Sequence, residues 1–230
     1  MQAGGTKKVG NHVPKGKCVA IIGDLINSRE LIQRPLAQES LISVLKHCNR
    51  TYKSAILSKF VITAGDEFQG LLKNPICIPD IIWDIEMLYK FTEVKIGIGF
   101  GGLSTKLNDV SIGMDGPVWY AARDALERAA KNKQLGGVFF GFKHKDNIII
   151  NGLARVLYHH RKSSTDKQRM IMTLLRQGYN QTEIANKLHV SKPVISGQTQ
   201  SSGWDAYHEG ESAWRTVLSE YDQTEYWNNE

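Results

Sequence analysis

Apolar residues along this chain change their period several times. Val19–Gly23 is a short apolar run of the kind strands make, and the stretch from Pro35 to Tyr52 follows with Leu36, Leu41, Val44, Leu45 and Cys48 at helical spacing. Residues 57–64 alternate, and 68–72 resume the alternation, so the pair reads as a β-hairpin with its tip at Ala64–Glu67. Ile81, Ile82, Ile85, Leu88 and Tyr89 mark one face of a helix over Pro79–Phe91. Val94–Phe100 is a β-like run rich in Ile and Gly, and Gly116–Lys133 is alanine-rich and helical. The pair Gly136–Gly137 then precedes a strand at Val138–Phe140. The order β-α-β-β-α-β-α-β predicts an α+β sandwich with a mostly antiparallel sheet and helices on one face.

A second pattern begins near residue 156. A polar start at Ser164–Asp166 leads into Met170, Ile171, Leu174 and Leu175 on a helical face, and Gly178 stops that helix. "NQTEIANKL" opens on a polar cap and places Ile184 and Leu188 at i,i+4. After a short turn Ser191 stands as N-cap, with Pro193 near the first turn of a third helix. With small Ala185 at the packing position and Val190 in the turn, this segment resembles a helix-turn-helix of the sigma-factor or resolvase kind. The exposed polar residues of its third helix, Ser191, Lys192, Ser196, Gln198 and Gln200, are the candidates for base edges of double-stranded DNA. Arg176, Lys187 and Lys192 are the candidates for phosphates. Gly197 in mid-helix costs about 1 kcal/mol against Ala. Trp204, Tyr207, Trp214 and Tyr221 suggest one amphipathic helix for packing or dimerisation.

Charge sharpens this division. The net charge is +6, but residues 156–200 hold 7 Lys/Arg against 2 Asp/Glu, and residues 201–230 hold 1 against 7. A basic block of that size suits a polyanion partner. Three cysteines at irregular spacing, with no C-x-x-C pair, argue against both a disulfide framework and a zinc site and fit a reducing cytoplasm. No apolar run approaches the roughly 20 residues needed to cross a bilayer. The basic N-terminus has no apolar stretch behind it and reads as a flexible leader. The expected units are a leader at 1–16, a first domain at 17–155, a helix-turn-helix domain at 156–203, and an amphipathic helix with an acidic tail at 204–230.

Candidate chemistry sits at the hairpin tip, in "FVITAGDEFQGLL". Carboxylates on an exposed turn can meet a cation without burying an unpaired charge. Asp66 supplies one, with Glu67 beside it, and Asp24 closes the first strand in "VAIIGDLINSR". If the hairpin lies beside the first strand, Asp24 and Asp66 clamp one or two Mg²⁺ ions that also bind substrate phosphates. Asn27, Ser28 and Arg29 follow at or just before a helix N-terminus, where a phosphate is favoured. The adjacent His159–His160 would point to opposite faces of a strand, a poor spacing for metal ligands, and are read as a linker or phosphate-facing position.

"GDEF" after an apolar strand, an Asp closing the first strand, "VKIGIGFGG" as a later strand and "GPVWYAARDALERAAKN" as the next helix resemble, in that order, the core of class III nucleotidyl cyclases and GGDEF diguanylate cyclases. "IIGDLINSR" with "TAGDEFQGLL" is closer to the SatD family, whose members also carry a C-terminal helix-turn-helix. The resemblance covers roughly residues 17–150 and implies a ferredoxin-like, nucleotidyl cyclase-like sandwich. It implies Asp24 and Asp66 as metal ligands, with the Leu25 carbonyl a third, and Arg123 as a triphosphate-binding or transition-state arginine. Two departures stand out: Trp119 replaces the Asn of the cyclase helix, and Ala64 replaces the first Gly of GGDEF. They leave metal and nucleotide binding in place and weigh against cyclisation. The expectation is a DNA-binding regulator whose degenerate cyclase-like domain binds a nucleotide with Mg²⁺ and tunes the helix-turn-helix, acting as a homodimer. The alternative is a Mg²⁺-dependent nucleotidyl cyclase, nucleotidyltransferase or phosphohydrolase in which Arg29 and Arg123 stabilise phosphate charge.

Overall fold

The computed structural model describes residues 13–230. The expected leader therefore lies outside the described residues except for its last four positions. The central strand β1 (Lys17–Leu25) runs antiparallel to β3 (Glu67–Leu72) on one side and to β4 (Val94–Gly102) on the other. β2 (Ile56–Ala64) pairs antiparallel with β3, and β5 (Val138–Phe140) runs parallel to β4. The result is an α+β fold on a five-stranded mixed sheet in the order β2-β3-β1-β4-β5. Interleaved are α1 (Arg34–Thr51), α2 (Ile78–Leu88), α3 (Pro117–Lys131) and α4 (His144–Ser163). α5 (Asp166–Arg176), α6 (Gln181–Lys187), α7 (Lys192–Ser201), α8 (Trp204–Ser219) and α9 (Thr224–Asn229) complete the chain.

Helices cover both faces of the sheet, not the one expected. The reason is legible in β1, where Val19, Ala20, Ile21 and Ile22 are all apolar and all buried, so neither face is left to water. Val19 and Ile21 join Leu41, Ile81, Ile98 and Trp214 on one side. Cys18, Ala20 and Ile22 pack with Val118, Trp119 and Ala122 of α3 on the other. α3 lies unusually close because β4 presents Gly97, Gly99 and Gly101 to it. A Cβ at Gly97 would stand 2.3 Å from the Ala122 carbonyl oxygen, and one at Gly99 would stand 2.3 Å from that of Val118. Backbone therefore packs on backbone, and any side chain at these glycines would push the helix off the sheet.

The C-terminal half is not a separate appendage. The expected boundary at 155/156 falls inside α4, whose buried stripe Ile150, Ala154, Leu157 and Arg161 faces the body, so His159 and His160 lie on a helix. α8 then returns Tyr207, Trp214 and Leu218 to the same core as β1. In α9, the Trp227 indole N–H donates to the Lys17 carbonyl at 2.7 Å. Between these anchors α5, α6 and α7 form a three-helix module with a small core of Ile171, Ile184, Ala185 and Ile195.

Candidate functional site

Strand alternation builds the first site. On β1 the even positions face α3, so Asp24 lies on that face at the strand end. The ladders set it opposite Glu67 of β3 and Lys95 of β4. Residues paired in this way on adjacent antiparallel strands hold their Cβ atoms roughly 5 Å apart. The Lys95 ammonium meets Asp24 at 2.6 Å. From α3 above, Arg123 donates two parallel hydrogen bonds to Glu67, at 2.5 and 2.9 Å, and Thr63 adds a third at 3.2 Å. Lys95, Asp24, Glu67 and Arg123 thus form a half-exposed row of two acids and two bases across three strands and a helix. The Arg123 guanidinium holds the Glu67 carboxyl below its ordinary range, against the opposing effect of burial. Glu67 in turn raises Arg123.

Asp66 lies elsewhere on the hairpin. The β2–β3 turn is Gly65–Asp66, with Gly65 at φ 62°, in the left-handed region that tight two-residue hairpins give to glycine. The tip leans on the α1 side: Gln38 donates to the Gly65 carbonyl at 3.2 Å, and the buried Ser28 hydroxyl donates to Asp66. The ladder therefore sets Glu67, not Asp66, directly across from Asp24. Leu25 is buried at the end of β1 in register with Val94. Asn27 adopts a left-handed conformation at φ 50° ahead of a short 3-10 turn, Ser28–Glu30. Arg29 on that turn is exposed. Trp119 is buried against β1.

Among the described residues no group of three or more His, Cys, Asp or Glu is arranged to hold a metal ion. Asp24 and Glu67 are a pair of carboxylates, the number by which Mg²⁺ is commonly held, and each is paired with a base, Lys95 and Arg123. Lys95 is the residue that motif reading missed. Its signal is an ionisable side chain two positions before Gly97, on the face of β4 that is otherwise glycine.

The second site is the three-helix module. Two capping boxes start its first two helices: Thr165 with Gln168, and Asn180 with Glu183. The first satisfies two N–H groups and the second three. Gly178, at φ 88°, ends α5 as expected. The α6–α7 turn, residues 188–191, passes through His189 at φ 51°, a left-handed position that glycine more commonly fills. Ser191 is the N-cap of α7 without a side-chain capping bond. Lys187, Ser191, Lys192, Ser196 and Gln200 are exposed, and Gln198 is half-buried. Lys187 lies over the Tyr179 ring at 4.5 Å.

Arg176, expected against phosphate, is instead turned inward. It donates to Asp80 at 2.7 Å and to Glu211, with its guanidinium 4.5 Å over the Trp83 ring. Arg215 grips the same two acids, at 2.7 and 2.5 Å. Two bases and two acids from α2, α5 and α8 thus lock the module to the body.

The SatD family model matches residues 18–218 of the chain. No curated protein matches it. Among the described residues no helix is long and apolar enough to cross a membrane.

Proposed function

The chain belongs to the SatD family, and from that premise we propose that it is a DNA-binding regulator whose sheet body senses a nucleotide. The observation that carries the reading is the packing of α5, α6 and α7 around Ala185, with a left-handed turn at His189 leading into an exposed, polar α7. A helix so mounted has the form of a major-groove reader. Ser191, Lys192, Ser196 and Gln200 are the groups for base edges, with Gln198 at their margin; Lys187 and Lys192 are those for phosphate. A homodimer would present two such helices to paired half-sites.

The strand order β2-β3-β1-β4, with every neighbouring pair antiparallel, is that of a split βαβ unit and supports the cyclase-like reading of the body. Asp24, with Glu67 or Asp66 from the hairpin, would hold Mg²⁺, which when bound neutralises phosphate charge. Lys95, Arg123 and Arg29 would hold phosphate oxygens, the first two by exchanging their carboxylate partners for the ligand, with Asn27 and Ser28 following the end of β1. Trp119 buried in the core, at the position of the cyclase Asn, favours binding over catalysis.

A fluorescein-labelled random duplex, titrated by anisotropy at stepped salt, tests the DNA claim. Log affinity should fall linearly with log salt, and the double variant Lys187→Ala/Lys192→Ala should flatten that slope by about two units. A wild-type affinity indifferent to salt rejects the reader. The Asp24–Glu67 pair also suits the enzyme alternative, so radiolabelled ATP and GTP should be incubated with the protein and Mg²⁺. Both nucleotides should return unchanged; conversion that depends on Asp24 and Glu67 would reverse the preference for a sensor.

A further inference from the structure

A cavity of about 370 Å³ opens where the sheet body meets the three-helix module, at the same end of β4 as the Asp24 row but lined by Val94 from the opposite face of the sheet. Its walls come from the end of α2, the start of β4, the last turns of α4 and the first turn of α5. Ile85, Tyr89, Val94 and Leu135 make it apolar on one side. On the other side stand two acids and four bases, and their pairing is uneven. Glu86 accepts two hydrogen bonds from the buried Arg161, at 2.7 and 3.0 Å. Glu93 is taken by Lys162 and, at 3.2 Å, by the Tyr158 hydroxyl.

Both acids lining the cavity are thus neutralised by Arg161 and Lys162, and Lys90 and Arg169 are the two lining cations that no lining acid takes up. Arg169 is tied to the Ser164 carbonyl and to Asp166, which is almost wholly exposed and therefore screened. Lys90 is exposed and, among the described residues, donates to the Glu86 carbonyl at 3.4 Å. Burial, and after it the Arg169 guanidinium, hold the Lys90 ammonium below its usual range. An anion seated between these two cations would offset the repulsion of Arg169 on Lys90.

We propose that this cavity is a binding site for a small organic anion, a carboxylate or phosphate carried on an apolar body. Its volume falls within the range of ligand pockets, which combine apolar walls with a few convergent polar groups and favour junctions between units. Because Arg169 belongs to α5 while Lys90 follows α2, the occupant touches body and module at once. The site shares no residue with the DNA and Mg²⁺ readings, although Val94 adjoins Lys95 of the Asp24 row.

The probe is 1-anilinonaphthalene-8-sulfonate, an aromatic body with one sulfonate, titrated against the full chain by fluorescence without DNA, nucleotide or metal. Saturable enhancement at one site per chain is expected. It should weaken tenfold or more in Arg169→Glu and in Leu135→Trp, which fills the apolar wall, while the same charge change at Lys131→Glu should leave it intact. Benzoate and phenyl phosphate, added as competitors, separate the two anion types: displacement by one assigns the head group, and displacement by neither overturns the proposal. Absence of saturable enhancement in the wild type, or equal affinity in Arg169→Glu and Leu135→Trp variants that keep the wild-type circular dichroism spectrum, also overturns it.

Discussion

Two sets of four charges, each of two acids and two bases, occupy opposite situations in this molecule. Lys95, Asp24, Glu67 and Arg123 lie half-exposed on the sheet, and the Arg123 side chain keeps 43% of its surface in water. Asp80, Arg176, Glu211 and Arg215 lie at the junction of α2, α5 and α8, and the Glu211 side chain keeps only 9%. Water screens the first set and leaves its groups free to exchange partners. In the second, Arg176 and Glu211 are desolvated and depend on each other, while Asp80 and Arg215 are as exposed as Asp24 and Lys95 are. The same composition is thus built around a half-exposed pair in one place and a buried pair in the other, and the burial of Arg176 and Glu211 makes the difference.

Removing one member of the fastening should produce the largest effect. Glu211→Ala withdraws one of the two carboxylates that hold Arg176 and Arg215, and leaves both cations to share Asp80. Breaking a buried pair in this way costs about 3–5 kcal/mol. For a chain of this size that lowers the melting temperature by about 6–20 °C. Differential scanning calorimetry measures it directly. A drop no larger than that of Arg123→Ala, whose half-exposed pair is worth about 0.5–1 kcal/mol, would erase the contrast between the two sets.

Ligand linkage gives the next effect and runs the other way. If the sheet row binds nucleoside triphosphate with Mg²⁺, ligand at a hundredfold excess over its dissociation constant should add about 2.7 kcal/mol to wild-type stability. Asp24→Ala should abolish that gain while costing the free protein little, whereas Arg215→Ala should lower stability and keep the gain. Equal gains in wild type and Asp24→Ala would remove the ligand from the row.

The two sets also differ in how readily the sequence discloses them. Alternation in "VAIIGDL" and "DEFQGLL" places Asp24 and the hairpin carboxylates at the ends of neighbouring strands, so their proximity follows from a period of two. The register that brings Glu67 rather than Asp66 opposite Asp24 does not follow, because a one-residue shift at the turn exchanges the faces. In the fastening, Asp80 and Arg215 are 135 positions apart on helices that meet only through tertiary packing. Arg176 accordingly reads from sequence as one more cation on a basic segment. α4 is hidden for a related reason: its buried stripe includes Ala154 and Arg161, while Ile148 and Val156 are exposed, so the apolar pattern points away from the true face.

The smallest effect is also the most specific to the sheet row. Arg123 depresses the Glu67 carboxyl in the folded chain. A depressed carboxylate contributes stability that is fully present above its unfolded value, about 4.3 for glutamate, and is lost as pH falls through the lower folded value. Wild type should therefore exceed Glu67→Gln in melting temperature by a constant small margin from pH 7 to about pH 5. The margin should shrink steadily below that, as protonation turns the wild-type side chain into a near copy of the glutamine. Because Arg123 is partly in water, the margin at pH 7 amounts to about 1 kcal/mol or less, and 1 M salt should reduce it further. A margin that ignores both acid and salt would mean that Glu67 contributes by its shape and not its charge. The sheet row would then be packing, like the core beneath it, and not a set of charges held ready for an anionic ligand.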